Sequence, residues 1–331
     1  DGEGICHVVL PEKGHLRPGM FVVGGDSHSP TGGAFGCYMF GVGATEMAGV
    51  LATGEIWLKV PGTILIEWQG RLRPGVVAKD MMLALCGRLG MDGGKYQAVE
   101  YAGEAIAALS MQERMTLSNM AAELGAQAGL ITPDRTTEAF LQDVGSDPGD
   151  YGWLRTDEGA QLLEHHVFDA GALDPQVAAP HSPANSVPIG KADHPAIQVA
   201  YIGACTGAKY EDLQRAASIL RGRRLAPGVE LMVAPSSKRD QDRAVADGIM
   251  KIFEDVGARI LPNACGICAG YGNDRLGEGV TCISSTARNF KGRMGAASSM
   301  VWLGSPFTVA ASAVAGRIAD PREFLPGGEG Q

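Results

Sequence analysis

The chain has 331 residues, 45% of them hydrophobic, which is enough for two or three domains with their own cores. A formal net charge of −9 offers no general attraction to nucleic acid or to an anionic membrane, and no apolar run reaches the length of a bilayer-spanning helix. Seven cysteines, an odd number spread over a long chain with no signal-like start, argue against a disulfide framework and for a reducing, cytoplasmic setting in which thiols can bind metal.

The opening Asp-Gly-Glu-Gly-Ile-Cys-His-Val-Val-Leu lacks an initiator Met and runs directly into an apolar, strand-like stretch, which predicts a missing amino-terminal segment. Residues 20–25 (MFVVGG) predict a buried strand running into a turn, 46–53 a helix, and 63–68 (TILIEW) a second strand. Residues 78–89 form a better helix, with Met81, Met82, Leu85 and Leu89 on one face, and the Ala-rich 117–130 also reads as helical. The Pro, Ser, Asn and Gly residues of 180–190 predict a domain linker. A regular alternation follows, with strands at 197–202 and 229–234, helices at 211–220 and 241–256, and a last strand ending near Ile260. With 47 Gly and only 6% aromatics, the composition suits an α/β protein with many tight strand-to-helix turns.

Cys205 and the pair Cys265 and Cys268, in Ala-Cys-Gly-Ile-Cys-Ala-Gly, lie just beyond predicted strand ends, where open α/β sheets place their ligand sites. Three thiolates suit a metal centre that keeps one coordination position open. A lone Cys-x-x-Cys is ambiguous among redox, zinc and cluster roles, so Cys205 and its surroundings decide. Cys37, Cys86 and Cys282 have no partner pattern and read as small buried hydrophobes.

Six motifs in order carry a resemblance that spans nearly the whole chain. They are Gly-Ile-Cys-His at 4–7, Gly-Asp-Ser-His-Ser-Pro-Thr-Gly-Gly at 25–33, Asn-Met-Ala-Ala-Glu-Leu-Gly-Ala at 119–126, Gly-Ala-Cys-Thr-Gly at 203–207, the cysteine pair, and Ser-Ser-Thr-Ala-Arg-Asn-Phe-Lys-Gly-Arg-Met-Gly at 284–295. Together they resemble the aconitase superfamily. The resemblance implies a 4Fe-4S cluster on Cys205, Cys265 and Cys268, with one iron lacking a protein ligand and acting as a Lewis acid on the substrate hydroxyl. It also implies acid-base pairs His7 with Asp26 and His28 with Glu123, in which a carboxylate orients each imidazole. Arg288 and Arg293 match the family's substrate arginines, whose planar guanidinium groups clamp carboxylates. Ser27 and Thr31 are expected as hydrogen-bond donors to substrate or cluster, with Ser236 and Ser237 as weaker candidates of the same kind.

Three departures stand out. The family commonly has Cys-Thr-Asn where this chain has Cys205-Thr206-Gly207, and Asn-Arg-Asn-Phe where it has Ala287-Arg288-Asn289-Phe290, so two amides near the cluster are absent. The family's further Asp-His pair would lie before Asp1. At the other end, the chain stops soon after Ala-Asp-Pro-Arg-Glu-Phe-Leu, where the large subunit of two-subunit dehydratases ends, so a separate small subunit carrying the swivel domain is expected.

The expected fold is α/β, in three-layer α/β/α domains: the remainder of a first at 1–61, a second at 62–188, and a third at 189–331 carrying the cluster cysteines. The expected activity is that of a hydro-lyase moving a hydroxyl between adjacent carbons of a hydroxy di- or tricarboxylate through an enoate. Isopropylmalate, within leucine biosynthesis, is the leading substrate, and homoaconitate, methylmalate or dimethylmalate are the alternatives. Two non-enzymatic readings compete: a cluster-free RNA-binding relative, disfavoured by the acidic balance, and a structural zinc protein, which would not explain the ordered His, Glu and Arg motifs.

Overall fold

The computed structural model describes residues 2–325. Its first element, α1 (Cys6–Glu12), is a helix where the apolar run predicts a strand. Val8 and Val9 both donate to the Ile5 carbonyl, at 2.9 Å, and Ile5 and Val8 are both buried. That spacing belongs to one helix face and not to the two-residue alternation of a strand. There follow β1 (Phe21–Gly24), β2 (Tyr38–Gly41), α2 (Ala44–Thr53), β3 (Thr63–Gln69), α3 (Ala78–Leu89), β4 (Ala98–Ala102), α4 (Glu104–Ala108), α5 (Met111–Asn119), β5 (Ala128–Ile131), α6 (Arg135–Asp143) and β6 (Glu164–Asp169). The Ala-rich 117–130 is not one helix. It divides into the end of α5, a 3-10 turn at Met120–Leu124 and the strand β5, because pairing with β4 overrides the helical propensity of alanine.

The later elements are β7 (Gln176–Ala178), β8 (Ser186–Pro188), β9 (Val199–Ile202), α7 (Tyr210–Leu220), β10 (Glu230–Val233), α8 (Lys238–Ala246), α9 (Ile249–Asp255), β11 (Arg259–Ile260), β12 (Thr281–Ser284), β13 (Met300–Leu303) and α10 (Pro306–Ala315). The helix expected over 241–256 is two, split at Gly248, whose φ of 71° is left-handed. Residues 180–190, read as a linker, include β8, which pairs with β7.

The described residues fall into two compact units. The unit built from 10–72 and 89–172 holds a four-stranded parallel sheet in the order β5-β4-β3-β6, and a two-stranded parallel pair, β1-β2. In β3, Ile64, Ile66 and Trp68 are buried while the residues between them are less so, the period of two that a half-buried strand requires.

The other unit, from residues 2–9, 73–88 and 173–325, holds a seven-stranded sheet in the order β11-β10-β9-β12-β13-β7-β8. Its first five strands are parallel, and β7 and β8 are antiparallel at the edge. One face meets α7, α9 and α10 in a core with Ala200, Ile202, Leu231, Val233 and Ile283. On the opposite face Val199, Tyr201, Met232, Cys282 and Val301 pack with Ala204, Ile267, Cys268, Leu276 and Met294 from the loops. From β9 the chain builds outward through β10 to β11, then returns to lay β12 on the other side of β9. The strand order therefore reverses between β9 and β12, a place where open α/β sheets commonly site their ligands at the carboxyl ends of the strands. Among the described residues no helix is long and apolar enough to cross a membrane.

Asp80, fully buried in the first turn of α3, ties this unit together: its carboxylate accepts from the Val77 and Gln176 amides, both at 2.9 Å. Burial pushes its pKa up from 3.8 to about 7, while those amides and the Lys79 charge pull it back. The folded chain therefore holds a proton on Asp80 that the unfolded chain has lost between pH 3.8 and about 7, so stability from this group falls as pH rises through that window. Urea denaturation at pH 5 and pH 8 should show the wild type losing more stability than Asp80→Asn between the two; equal losses would remove Asp80 as the cause.

Candidate active site

Cys205 follows β9 by three residues, on a loop whose preceding residue, Ala204, has a φ of 68°. A non-glycine residue in that region carries strain that the surroundings must hold. They do so through Ser236, whose hydroxyl donates to the Ala204 carbonyl at 2.9 Å, and through Ser285, whose hydroxyl accepts from the Gly203 amide at 3.0 Å and donates to the Gly207 carbonyl at 3.1 Å. Cys265 and Cys268 follow β11 and bracket a tight turn in which the Cys268 amide donates to the Cys265 carbonyl at 3.0 Å. Cys205 and Cys268 are buried and Cys265 partly so.

Tyr201 binds the cysteine loops to the sheet. Its ring is fully buried, its hydroxyl reaches the Cys265 carbonyl at 3.4 Å, and burial, followed by the charges of Cys268 and Cys265, raises its pKa far above the ordinary range. It was missed in the sequence, where an aromatic inside a strand reads as core. By contrast, burial pushes the Cys37 thiol up to about 12 and raises that of Cys282, so both remain inert hydrophobes, in keeping with their lack of a partner pattern.

Arg288 and Arg293 lie on the loop after β12, the strand beside the β9 that leads to Cys205. The Cys265–Cys268 turn runs close to that loop: a side chain on Gly270 would come within 2.8 Å of the Arg293 carbonyl oxygen. Arg293 Nε is buried and has no hydrogen-bond partner among the described residues. An unsatisfied buried guanidinium donor suits an anionic ligand. His7, on α1, is carried to the same unit by the Ile5 amide, which donates to the Ser236 carbonyl at 2.9 Å. Ser236 directs its donor to the Ala204 carbonyl, and Ser237 caps α8 by accepting from the Asp240 amide at 3.1 Å.

Asp26, Ser27, His28 and Glu123 belong to the other unit. His28 Nε2 lies 3.1 Å from Glu123 Oε1, with both residues buried. Asp26, more than half exposed, accepts from the His28 amide at 2.8 Å and stands 3.6 Å from His28 Nδ1. Thr31 is turned to scaffold use, donating to the His28 carbonyl at 2.7 Å and accepting from Asn119 Nδ2 at 2.8 Å. Ser27 is exposed at the same turn.

The aconitase family (aconitate hydratase) matches residues 1–196 and 190–316. The chain belongs to the aconitase family. It is 44% identical to 3-isopropylmalate dehydratase large subunit 1 of Methanopyrus kandleri, over 98% of this chain and 77% of that relative. It is equally 44% identical to the probable methanogen homoaconitase large subunit of Methanosarcina mazei, over 98% of this chain and 81% of that one. A solved structure, aconitase X of Thermococcus kodakaraensis, is 13% identical with a TM-score of 0.47, covering 83% of this chain and 63% of its own. Membership in the aconitase family implies an iron-sulfur cluster, and the donor types here suit one: three thiols on two loops, one after β9 and one after β11, with Cys265 and Cys268 beside Tyr201.

The Gly207 departure from the family's usual amide has a steric cause. A Cβ on Gly207 would lie 2.3 Å from Ser285 Cβ and 2.5 Å from the Ser285 carbonyl oxygen, so this loop closes on Ser285 only with glycine. Ala287, the other departure, is buried. Gly207→Ala should cost about 1–3 kcal/mol of stability, read as a lowered melting temperature, whereas Gly190→Ala, with open space around it, should leave the melting temperature within a degree or so of wild type.

Proposed function

We propose that this chain is the large subunit of a two-subunit hydro-lyase of the 3-isopropylmalate dehydratase type. The observation that carries this reading is that the Cys205 loop after β9 is bonded to the loop after β12 that bears Arg288 and Arg293, while the Cys265–Cys268 turn leads to Gly270, which abuts the Arg293 backbone. An iron-sulfur cluster of the 4Fe-4S type on these three cysteines, one iron lacking a protein ligand, would supply a Lewis acid that weakens the carbon–oxygen bond of the leaving hydroxyl.

The chain's own residues do the remaining work. Arg293, with its buried Nε, and Arg288 clamp the substrate carboxylates and set which hydroxyl faces the cysteine loops. His28, its ring oriented through Nε2 by Glu123, delivers a proton from Nδ1 to the departing hydroxyl, which leaves as water. Loss of the proton on the adjacent carbon completes the enoate, and readdition of water to the other carbon completes the isomerisation. His7 and Asp26 are the further acid-base residues of this reading, and Ser27 donates a hydrogen bond to the substrate. The base for the carbon-bound proton is expected on the swivel domain of a separate small subunit. The three-part division at 61 and 188 belongs to this same reading.

A homoaconitase-type substrate is the second reading, supported by the equal identity to the Methanosarcina mazei relative. The test is to load the chain anaerobically with iron and sulfide, add the candidate small subunit, and follow enoate absorbance with isopropylmalate, homocitrate, citrate and methylmalate in parallel. Turnover of one substrate, abolished in Cys265→Ser and lowered roughly 100-fold or more in kcat by Glu123→Gln, is the expected result. A loaded, folded complex that turns over none of them would count against the hydro-lyase reading.

A further inference from the structure

Two lysines are buried beside the Cys205 loop, and neither belongs to the motifs that carry the family resemblance. Lys79, on α3, is 1% exposed, and its ammonium donates to Thr206 Oγ1 at 3.3 Å, to the Ser285 carbonyl at 3.0 Å and to the Thr286 carbonyl at 2.6 Å. Thr206 is the residue after Cys205. Ser285 and Thr286 open the loop that leads to Arg288 and Arg293. One ammonium thus joins the loop after β9 to the loop after β12 at the strand-order reversal. A direct bond reinforces the junction, since Thr206 Oγ1 donates to the Ser285 carbonyl at 3.1 Å. From the far side of the loop Lys209, also 1% exposed, donates to the Cys205 carbonyl at 3.1 Å and to Asp212 Oδ2 at 2.8 Å.

Burying an ammonium is costly, and an apolar side chain of the same length would fill the space at less expense. Packing alone therefore does not account for Lys79. Its position does: three donors from one group to two loops from different strands that must keep one spacing, one of them the loop of Cys205. Lysine suits this task because its three protons are directed independently to three oxygens.

Building on the cluster assignment above, we propose that Lys79 is a positioning residue that locks the Cys205 loop to the arginine loop, so that the Cys205 ligand and the carboxylate clamp keep one spacing. Thr206 is its relay. The lock acts on the cluster through the backbone of the Cys205 loop, so its loss should alter the cluster's own properties even without substrate or a small subunit.

The test compares wild type, Lys79→Met and Thr206→Val as full chains loaded anaerobically with iron and sulfide. Melting temperature screens for folding, and the readouts are iron and sulfide per chain, the electron paramagnetic resonance spectrum after one-electron oxidation, and the rate of iron loss in air. Lys79→Met should lose iron about tenfold faster than wild type and show a changed line shape. Thr206→Val should shift both readouts in the same direction by less. Should Lys79→Met fail to fold, Thr206→Val decides alone. A loaded wild type whose folded variants match it in spectrum and iron loss overturns this inference only. A wild type that takes up no iron and sulfide overturns the cluster assignment and this inference with it.

Discussion

The reversal of strand order between β9 and β12 is the constraint on which the ligand-binding architecture of the larger unit depends. The carboxyl ends of neighbouring strands at such a reversal are where open α/β sheets commonly site their ligands. Here polar groups knit the two following loops together. Ser285 bonds Gly203 and Gly207, Thr206 bonds Ser285, and the Lys79 ammonium bonds both loops at once. Cys205 on one side and the arginines on the other take their positions from this tie, and the cysteine pair joins them because Tyr201, on β9, reaches the Cys265 backbone.

Fitting so many polar groups into a small volume requires that other atoms be absent. Gly207 has no room for a side chain against Ser285, and Gly270 has none against the Arg293 carbonyl. In this chain the missing amide at position 207 goes with the close approach of the serine that organises the loop. Strain at Ala204 belongs to the same set: a φ of 68° aims the chain toward Cys205 and is held by the Ser236 hydroxyl.

Buried ionisable groups mark both units. In one, Asp80, Lys79, Lys209 and Asp212 are buried near the cysteine loops, and each meets amides, carbonyls or an opposite charge. In the other, the buried Glu123 meets His28. Burial of a charge is tolerated where neighbouring dipoles replace water, and such replacement also fixes geometry, because a group hydrogen-bonded on several sides has one orientation. The rigidity that a proton-transferring His or a metal-bearing loop needs is obtained from these same bonds.

Much of this was legible in the sequence by itself. The α/β class followed from alternating apolar runs and glycine-rich turns, the bounds of α3 from its apolar face, and the family from six ordered motifs. The juxtaposition of His28 with Glu123 was expected from those motifs and is present in the fold. The failures share one cause. Residues 5–10 and 117–130 carry local signals that fit two structures, and only partners distant in sequence, such as β4 for β5, choose between them. The same holds for 180–190, whose loop-like composition conceals a strand that pairs with β7. Lys79, Tyr201 and Ser285 were unreadable for a related reason. Nothing local to a lysine in a helix, an aromatic in a strand or a serine after a strand says that they will be buried together, and it is the return of the chain from β11 to β12 that puts the Ser285 loop beside the Cys205 loop and under the Lys79 ammonium.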